Sequence, residues 1–485
     1  MNDIVLAKRL VLIFLPLTII IFYLTVISHI NYTPDDSYIY FQFAKNIVNG
    51  NGFAFNAHEP TYGVTSPLWV MIISLSGIFG VDYILAAKIV DILFASIAVL
   101  VFFLFANQVL KNHIVALLAT FSFSMNAWLL RWSGTGMETS LAVLLTLLTL
   151  YYCWKHEYIL SIFFSGLLFL TRPETIVMPV LIIADIYINT LDRKRALKNI
   201  VLSGVVFLII VLPWLIYAEL KFGSVIPNTA LAKATLGLNL DDFSWTIKDL
   251  FKTLCVTEAI SLSLVVVGIL VLIYLIFRKQ NHQDKFDRHS VIDWLRGHIV
   301  PLSWLSGIII IYTLTQANIV SRYLLLIIPV IIIYAYTFLI SIVELLGKSK
   351  YFYAAVFILT IAIMLQNQII FRKYVQPSIN SFAQGMNECF IPIGEWFKDN
   401  TPSDAVVFTP DIGAIGYCSE RKICDASGLI SPELLSYIRR GYTYKDLMDK
   451  KIYQQVCNAD YVVHRADRPN ILKDDHLQVQ FYKTV

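Results

Sequence analysis

The segment Asn31–Asn56, "NYTPDDSYIYFQFAKNIVNGNGFAFN", decides how the rest of the chain is interpreted. It follows directly on the apolar run Leu10–Ser28, which is long enough to cross a bilayer. Because that run lacks a small-residue cleavage site, we expect it to stay in the membrane. Two adjacent carboxylates, Asp35 and Asp36, therefore stand at the mouth of the first span. Beside Pro34 they are good turn residues, but paired acids at a membrane-face cavity also suit a general base or metal ligands.

The composition of the whole chain points to a membrane protein. Of its 485 residues, 57% are hydrophobic and only 15% are charged, and the mean hydropathy is +0.66. A soluble domain of this composition would expose too much hydrocarbon. The net charge of +4 is small and does not indicate a nucleic-acid-binding surface. We predict an α-helical polytopic protein with about eleven spans, one juxtamembrane helix and a C-terminal extracytoplasmic α/β domain.

The orientation follows from clusters of basic residues around Arg193, Arg278 and Lys348. The positive-inside rule places these clusters, and the Lys8–Arg9 start, in the cytoplasm. The apolar runs between the start and Arg193 are odd in number, where an even number of crossings is required. We therefore expect the short run Pro67–Phe79 to be juxtamembrane or re-entrant. This topology places the polar ends of several spans, and the tail of the chain, outside the plasma (inner) membrane.

We predict two units, a transmembrane domain over residues 1–370 and an external soluble domain over residues 371–485. A long external loop is expected over Ala218–Thr257. In the tail, the patterns of "IPIGEWFKDN" and "SPELLSYIRR" indicate helices. The patterns of "DAVVFTPDIGAIGY", "ADYVVH" and "VQFYKT" indicate strands, the first ending in a glycine turn. Together these elements predict a small α/β fold.

The tail also contains four cysteines, Cys389, Cys418, Cys424 and Cys457. An even number of cysteines in an oxidising space is compatible with disulfides, and the sequence alone permits several pairings. Cys418 and Cys424 are close in sequence, so we expect this pair to form across a turn. Cys153 and Cys255 lie in other parts of the chain and are expected to be isolated small residues.

Polar residues at the outer ends of spans are the other candidates for a site. Glu138 begins a span and could simply cap it, or it could hold an acceptor or a metal. Arg172 and Arg322 could snorkel to the interface, or they could bind a phosphate together with an external lysine, because guanidinium groups engage phosphate oxygens in pairs. The candidate substrate-binding residues are Glu138, Arg172, Asn228, Lys233, Arg322 and Tyr323.

Taken together, these residues resemble the GT-C superfamily of polyprenyl-phosphate-dependent membrane glycosyltransferases. The likeness is to the bacterial branch that includes the mycobacterial arabinofuranosyltransferases, in which an acidic pair follows the first span. It extends over nearly the whole chain. The other similar stretches are a "GxTSPLW"-like segment (Gly63–Trp69), "GxET" (Gly136–Thr139), "TRPE" (Thr171–Glu174), a "PNTxxAK"-like loop (Pro227–Lys233) and the tail segment "DIGAIGYCSERKICDASGLISPE".

The resemblance implies inverting transfer of a sugar from a polyprenyl-phosphate donor to an envelope glycan or lipid acceptor. The reaction would take place on the periplasmic or exterior face of the membrane. The resemblance also implies that Asp35 is the base that deprotonates the acceptor hydroxyl. Asp36 would orient the helix, hold the acceptor or bind a divalent metal, if one takes part. Lipopolysaccharide, another envelope glycan and a protein acceptor all stay open.

Two other function classes compete with this interpretation. A transporter or flippase of lipid-linked substrates usually has inverted repeats and broken spans that meet near the membrane midplane. Here the polar residues gather at one face and no repeat is evident, which favours an enzyme. A receptor or assembly scaffold whose tail binds a partner is the third class. Product formation from a labelled lipid-linked sugar by the purified protein distinguishes the enzyme from both.

Overall fold

The computed structural model describes residues 2–233, 240–277, 288–316, 318–347 and 349–464. Most of these residues are helical. The helices of the first part of the chain are α1 (Asn2–Ile27), α2 (Asp35–Val48), α3 (Pro67–Ile78), α4 (Tyr83–Leu110), α5 (His113–Ser124), α6 (Ala127–Trp132), α7 (Thr139–Trp154), α8 (Tyr158–Phe169), α9 (Val177–Asn189) and α10 (Arg193–Phe222). Those of the next part are α11 (Asn228–Lys233), α12 (Leu240–Phe277), α13 (Arg288–Gly297), α14 (Ile299–Leu314), α15 (Ser321–Leu324), α16 (Ile328–Leu345) and α17 (Phe352–Ile370).

Several of these helices are long and apolar enough to cross a membrane. Within the described residues they are Leu6–Ile27, Tyr83–Leu110, Arg193–Phe222, Phe243–Leu275, Ile328–Leu345 and Phe352–Asn400. The shorter apolar helices are Pro67–Ile78, His113–Ser124, Thr139–Trp154, Tyr158–Phe169 and Ile299–Leu314. The prediction of a helical, multi-pass membrane protein is therefore confirmed. The number of crossings, and the juxtamembrane position of α3, stay predictions.

Small residues let the helices of the membrane domain approach one another. Ala95, Ala98 and Ala106 are fully buried in α4, which packs against α5 and α7. In lipid, such close backbone contact replaces the hydrophobic drive that holds soluble helices together. α7 is buried over almost its whole length. The Gly-Thr-Gly turn in front of α7 is therefore attached to a rigid part of the protein.

The tail forms the predicted α/β unit. Its elements are α18 (Gln376–Gly385), α19 (Ile391–Asn400), β1 (Val406–Thr409), α20 (Gly413–Ser419), β2 (Lys422–Asp425), α21 (Pro432–Arg439), α22 (Tyr444–Asp449), α23 (Ile452–Cys457) and β3 (Tyr461–Val462). The strands pair in parallel in the order β2-β1-β3, with Val407 opposite both Ile423 and Tyr461. α19 and α21 match the helices predicted from the sequence, and β1 and β3 lie in two of the predicted strands. The glycine turn expected at the end of the first strand is wrong, because Gly413–Ser419 forms helix α20. The segment "VQFYKT" lies outside the described residues.

One expectation about the chain's organisation needs correction. Ala218–Thr257 is not an open loop, because α10 continues to Phe222 and α12 begins at Leu240. α12 bends at Glu258, whose backbone is not helical. The helix of the last apolar run continues past Ile370, so the boundary predicted between residues 370 and 371 lies inside a helix and stays a prediction. π-helical turns at Phe371–Val375 and Met386–Phe390 join α17, α18 and α19 into one helix of 49 residues.

The tail is linked by a disulfide between Cys424 of β2 and Cys457 of α23. The expected pair of Cys418 with Cys424 is therefore wrong. Cys418 faces α19, where a Cβ placed on Gly394 would lie 2.7 Å from the Cys418 Cβ. Cys424 points to a different core, which contains Phe408 and other apolar residues of the tail.

We expect Cys457→Ser to lower the free energy of unfolding of the tail by about 2–4 kcal/mol, because the unfolded chain regains the freedom that the cross-link removes. Thermal unfolding of the purified protein measures the effect, and Cys418→Ser is the control that should change little. Thiol mapping under non-reducing conditions should show Cys424 linked to Cys457. Free thiols at both positions in exported protein would contradict the pairing and the external position of the tail.

Candidate active site

α2 begins at the acidic pair, and its first two residues face different parts of the molecule. Asp35 accepts hydrogen bonds from the backbone N–H groups of Gly413 (3.0 Å) and Ala414 (2.8 Å), at the start of α20 in the tail. Burial raises the pKa of Asp35 to about 6, although these two N–H groups oppose the shift. Asp36 points instead into a cavity, where its Oδ2 lies 2.7 Å from Nη2 of Arg322. Asp36 and not Asp35 therefore lines the cavity. The assignment of the base to Asp35 stays a prediction.

The turn that holds Glu138 is fixed by a buried acid on α4. Oδ2 of Asp91 accepts hydrogen bonds from the N–H groups of Thr135 (2.8 Å) and Gly136 (3.1 Å). The carbonyl of Gly136 accepts a hydrogen bond from the Trp69 indole at 3.0 Å. Gly136 has φ +79°, and a Cβ there would lie 2.9 Å from the ring of Phe41. Glycine is therefore required at this position, and the turn holds Glu138 rigidly at the cavity wall.

Arg172 is the centre of a buried ion-pair cluster. Its Nη2 lies 2.7 Å from Oε1 of Glu138, and its Nη1 lies 3.3 Å from Oε1 of Glu174. The side chains of Arg172 and Glu138 are only 5% and 2% exposed. The Tyr312 hydroxyl donates a hydrogen bond of 3.0 Å to the same Glu174 oxygen. Two carboxylates therefore hold Arg172 in place. A residue that only snorkels to the interface needs no such partners.

Aromatic rings position the second arginine. The Arg322 guanidinium lies 5.2 Å from the ring centre of Trp132 and 5.5 Å from that of Tyr323. The Arg172 guanidinium lies 5.0 Å from the same Tyr323 ring. Tyr323 in turn stacks on Tyr312 at 5.4 Å. Because Tyr323 contacts both guanidinium groups, it holds two cations side by side at one cavity.

The cavity enclosed by these groups has a volume of about 330 Å³. Its charged lining residues are Asp36, Glu138, Arg172, Glu174 and Arg322. Several buried polar atoms at or beside the lining have no hydrogen-bond partner among the described residues, and they are Glu138 Oε2, Thr229 Oγ1 and the Nε atoms of Arg172 and Arg322. Buried polar groups are nearly always paired, so orphaned atoms around one cavity indicate a place for a polar ligand.

Asn228 is not among the described residues that line the cavity. The side-chain amide of Asn228 donates to Oγ1 of Thr61 (3.3 Å) and to the carbonyl of Leu429 (3.2 Å), so it joins two loops instead. The side chain of Lys233 lies outside the described part of the chain. Across the described ranges, no group of three or more His, Cys, Asp or Glu residues is placed to hold a metal ion. Each cavity arginine is paired with at least one carboxylate.

The structure adds three residues that the sequence did not single out. Glu174 belongs to the "TRPE" turn, but nothing in the pattern separated its role from that of a turn acid. Tyr312 lies in the apolar run of α14, where a tyrosine gives no signal of its own. Leu429 lies in the tail, far from the other lining residues in sequence. Only the fold brings these three side chains to the same cavity.

Comparison with solved structures reveals the same fold in two other membrane proteins. The apo oligosaccharyltransferase of Archaeoglobus fulgidus is 14% identical, with a TM-score of 0.57 over 84% of this chain. This chain spans 64% of that protein's length. ArnT from Cupriavidus metallidurans, solved with bound undecaprenyl phosphate, is 12% identical, with a TM-score of 0.54 over 88% of this chain and 89% of its own.

Sequence comparisons match a smaller part of the chain. Residues 378–484 match a family described as a domain of unknown function, DUF8728. No curated protein matches the sequence. The solved structures do not single out the mycobacterial branch, which stays a prediction, but they confirm the fold class that the acidic pair and the later motifs predicted. The chain shares its fold with the archaeal oligosaccharyltransferase and with ArnT.

Proposed function

We propose that this protein is an inverting glycosyltransferase at the outer face of the plasma (inner) membrane. It would move a sugar from a polyprenyl-phosphate donor to a hydroxyl of an envelope glycan or lipid acceptor. The observation that supports this most is the placement of Arg172 and Arg322 near the ring of Tyr323, at a cavity that also contains Asp36. Paired cations and a carboxylate suit a reaction that releases a phosphate and requires a base.

The two arginines are suited to the phosphate of the donor. Each has a buried Nε without a partner in the described structure, and guanidinium groups bind phosphate oxygens through parallel hydrogen bonds. ArnT was solved with undecaprenyl phosphate, and the archaeal oligosaccharyltransferase AglB was solved with dolichol-phosphate and an inhibitory peptide, at a TM-score of 0.50 to this chain. These relatives support a lipid-linked phosphate as the donor's leaving group here. Whether the sugar is a hexose or a pentose stays open.

The charge of the cavity suggests how donor binding prepares the base. Three carboxylates and two arginines line the cavity, so its formal charge is negative before the donor binds. The phosphate of a bound donor makes this charge more negative. Arg322 is the partner of Asp36 at 2.7 Å. When the phosphate takes hydrogen bonds from Arg322, Asp36 loses part of its stabilising charge. A carboxylate that is less stabilised binds a proton more strongly, so Asp36 becomes a better base once the donor is bound.

The reaction then needs one proton transfer and one displacement. Asp36 takes the proton of the acceptor hydroxyl, and the hydroxyl oxygen forms a bond to the anomeric carbon of the sugar. The bond between that carbon and the phosphate oxygen breaks on the opposite side, which inverts the configuration. The electron pair leaves with polyprenyl phosphate, whose charge is stabilised by Arg172 and Arg322. Asp35, which contacts the tail, would position the start of α2 without touching the substrate.

Binding of undecaprenyl phosphate to the purified protein tests the role of the arginines. We expect Arg322→Ala to weaken binding about 10- to 100-fold, since a hydrogen bond to a charged group contributes about 1.5–3 kcal/mol. Arg172→Ala should weaken it to a similar extent. Lysine at either position should restore only part of the affinity, because an ammonium lacks the planar pair of donors.

Arg131 provides the matched control for this experiment. Its guanidinium also stacks on Trp132, at 5.5 Å, but Arg131 is not among the residues that line the cavity. Arg131→Ala should therefore leave binding within about twofold of the wild type. Wild-type binding in both Arg322→Ala and Arg172→Ala would assign these arginines to structural ion pairs. Gel filtration of each variant separates loss of binding from loss of folding.

A further inference from the structure

One part of the tail reaches the cavity, and it does so through a single turn. Residues 425–431 connect β2 to α21, and we call this segment the 425–431 loop. Leu429 of this loop lies in the cavity lining, together with Val64 and Thr229. Among the described lining residues, Leu429 alone comes from the tail. The soluble unit therefore forms part of the candidate active site and does not merely cover it.

A buried carboxylate gives the 425–431 loop its shape. Oδ1 of Asp425 accepts a hydrogen bond from the N–H of Ser427 at 2.7 Å, and its Oδ2 accepts from the N–H groups of Leu429 (2.6 Å) and Ile430 (3.2 Å). Asp425 is fully buried, and this burial raises its pKa to about 6 despite the three N–H donors. Gly428 has φ +73°, a conformation that favours glycine. The loop is thus built around one side chain, which fixes the position of Leu429.

The 425–431 loop is also attached to the membrane domain. The Asn228 amide holds the Leu429 carbonyl, and the Asn228 N–H donates to the Tyr62 carbonyl at 2.9 Å. Ile430 packs directly on Gly63, where an added Cβ would lie 2.8 Å from its Cγ2 and 3.0 Å from the Leu429 carbonyl oxygen. These contacts join the loop to the cavity rim at Gly63 and Asn228. Leu429 is therefore held at the wall from both sides.

We propose that the 425–431 loop is the acceptor side of the site and that Leu429 is a specificity-determining residue for the acceptor. This inference rests on the proposed glycosyl transfer. The groups suited to the donor phosphate, Arg172, Arg322 and Tyr323, are attached to the ends of helices of the membrane domain. Leu429 comes from the unit outside the spans and offers a phosphate neither a charge nor a side-chain hydrogen bond. It is suited to an apolar surface.

The chemistry of the contact indicates what Leu429 recognises. An aliphatic side chain at the wall of a polar cavity gains free energy by covering carbon-bound hydrogens, and the C–H face of a sugar ring presents such a surface. In the same cavity, Glu138 and Thr229 have buried oxygen atoms without partners among the described residues, which could bind the hydroxyl groups of the same ring. An acceptor that ends in a sugar residue therefore fits this wall, and a lipid hydroxyl without a ring would leave those oxygens unpaired.

The test separates acceptor recognition from donor binding. Leu429→Ala and Leu429→Trp are compared with the wild type for binding of undecaprenyl phosphate. They are also compared for transfer from a panel of radiolabelled polyprenyl-phosphate monosaccharides to membranes of cells that lack the protein. We expect Leu429→Trp, which fills the acceptor side, to reduce transfer at least about tenfold. Leu429→Ala should raise the amount of acceptor membranes needed for half-maximal transfer. Both variants should bind undecaprenyl phosphate within about twofold of the wild type.

Leu447→Ala is the control, because Leu447 is buried in the other core of the tail and does not line the cavity. It should keep the wild-type dependence on acceptor membranes. If Leu429→Trp weakens undecaprenyl phosphate binding as much as transfer, the loop belongs to the donor side and the inference is overturned. Wild-type transfer by both Leu429 variants would overturn it as well. If the wild-type protein neither binds undecaprenyl phosphate nor transfers any sugar of the panel, the proposed function itself fails, whatever the Leu429 variants do.

Discussion

Asp36→Asn should reduce sugar transfer by about 10²–10⁴-fold while the protein still folds, inserts and binds undecaprenyl phosphate. Loss of a positioned base has effects of this size. Asparagine has the shape of aspartate and keeps an oxygen for Arg322, which lies 2.7 Å from the Asp36 carboxylate. It cannot accept the proton of the acceptor hydroxyl. Turnover of a synthetic polyprenyl-phosphate sugar at matched protein levels measures the loss.

Asp35→Asn is the matched comparison, because it makes the same chemical change one residue earlier. Asp35 contacts the N–H groups of Gly413 and Ala414 and is not among the cavity-lining residues. Asparagine keeps one oxygen for these donors, so we expect a smaller loss of transfer, together with weaker attachment of the tail. A dead Asp35→Asn variant beside an active Asp36→Asn variant would restore the assignment that the family resemblance implied. Normal transfer by both variants would contradict the proposed mechanism.

The different positions of Asp35 and Asp36 show what local sequence cannot predict. Adjacent residues of a helix point about 100° apart, so one of the two acids had to face away from the cavity. The acid that faces away is Asp35, because it binds the N-terminus of α20, which is 378 residues further along the chain. Nothing within Asn31–Asn56 encodes that contact. The acidic pair was recognisable from local sequence, but local sequence did not show that Asp36 lines the cavity while Asp35 contacts α20.

In the rest of the molecule, too, some features were predictable from local sequence and others depended on long-range contacts. The apolar runs and two helices of the tail were predictable from the sequence. Glu138, Arg172 and Arg322 were predictable as candidates, because charge at a span end is rare enough to be informative. Tyr312 and Leu429 were not predictable as site residues, because an apolar or aromatic residue in an apolar or buried segment cannot be distinguished from an ordinary core residue. The disulfide partner of Cys424 depended on which face of β2 meets which core. In each case the missing information was a long-range contact.

The second large effect is expected from Gly413→Ala, which should detach the tail from α2. A Cβ at Gly413 would lie 2.0 Å from the backbone carbonyl oxygen of Asp35 and 2.7 Å from its carboxyl carbon. Backbone cannot rotate away as a long side chain can, so α20 must move, and such overpacking costs about 1–3 kcal/mol or more. We expect faster cleavage of the tail in limited proteolysis of the purified protein. Sugar transfer should fall at least about tenfold, because Leu429 would leave the cavity wall with the tail.

Gly385→Ala is the control for this substitution. Gly385 lies at the end of α18 with no atom within 4 Å of an added Cβ, and alanine favours helices, so this variant should resist proteolysis at least as well as the wild type. Comparison with Asp35→Asn then separates the contribution of the hydrogen bonds from that of the steric fit at the contact between Asp35 and α20. Asparagine at position 35 weakens the hydrogen bonds but keeps the steric fit, whereas alanine at position 413 disrupts both. Gly413→Ala should therefore release the tail more completely than Asp35→Asn, and equal proteolysis of Gly413→Ala and the wild type would show that this contact does not hold the tail in place.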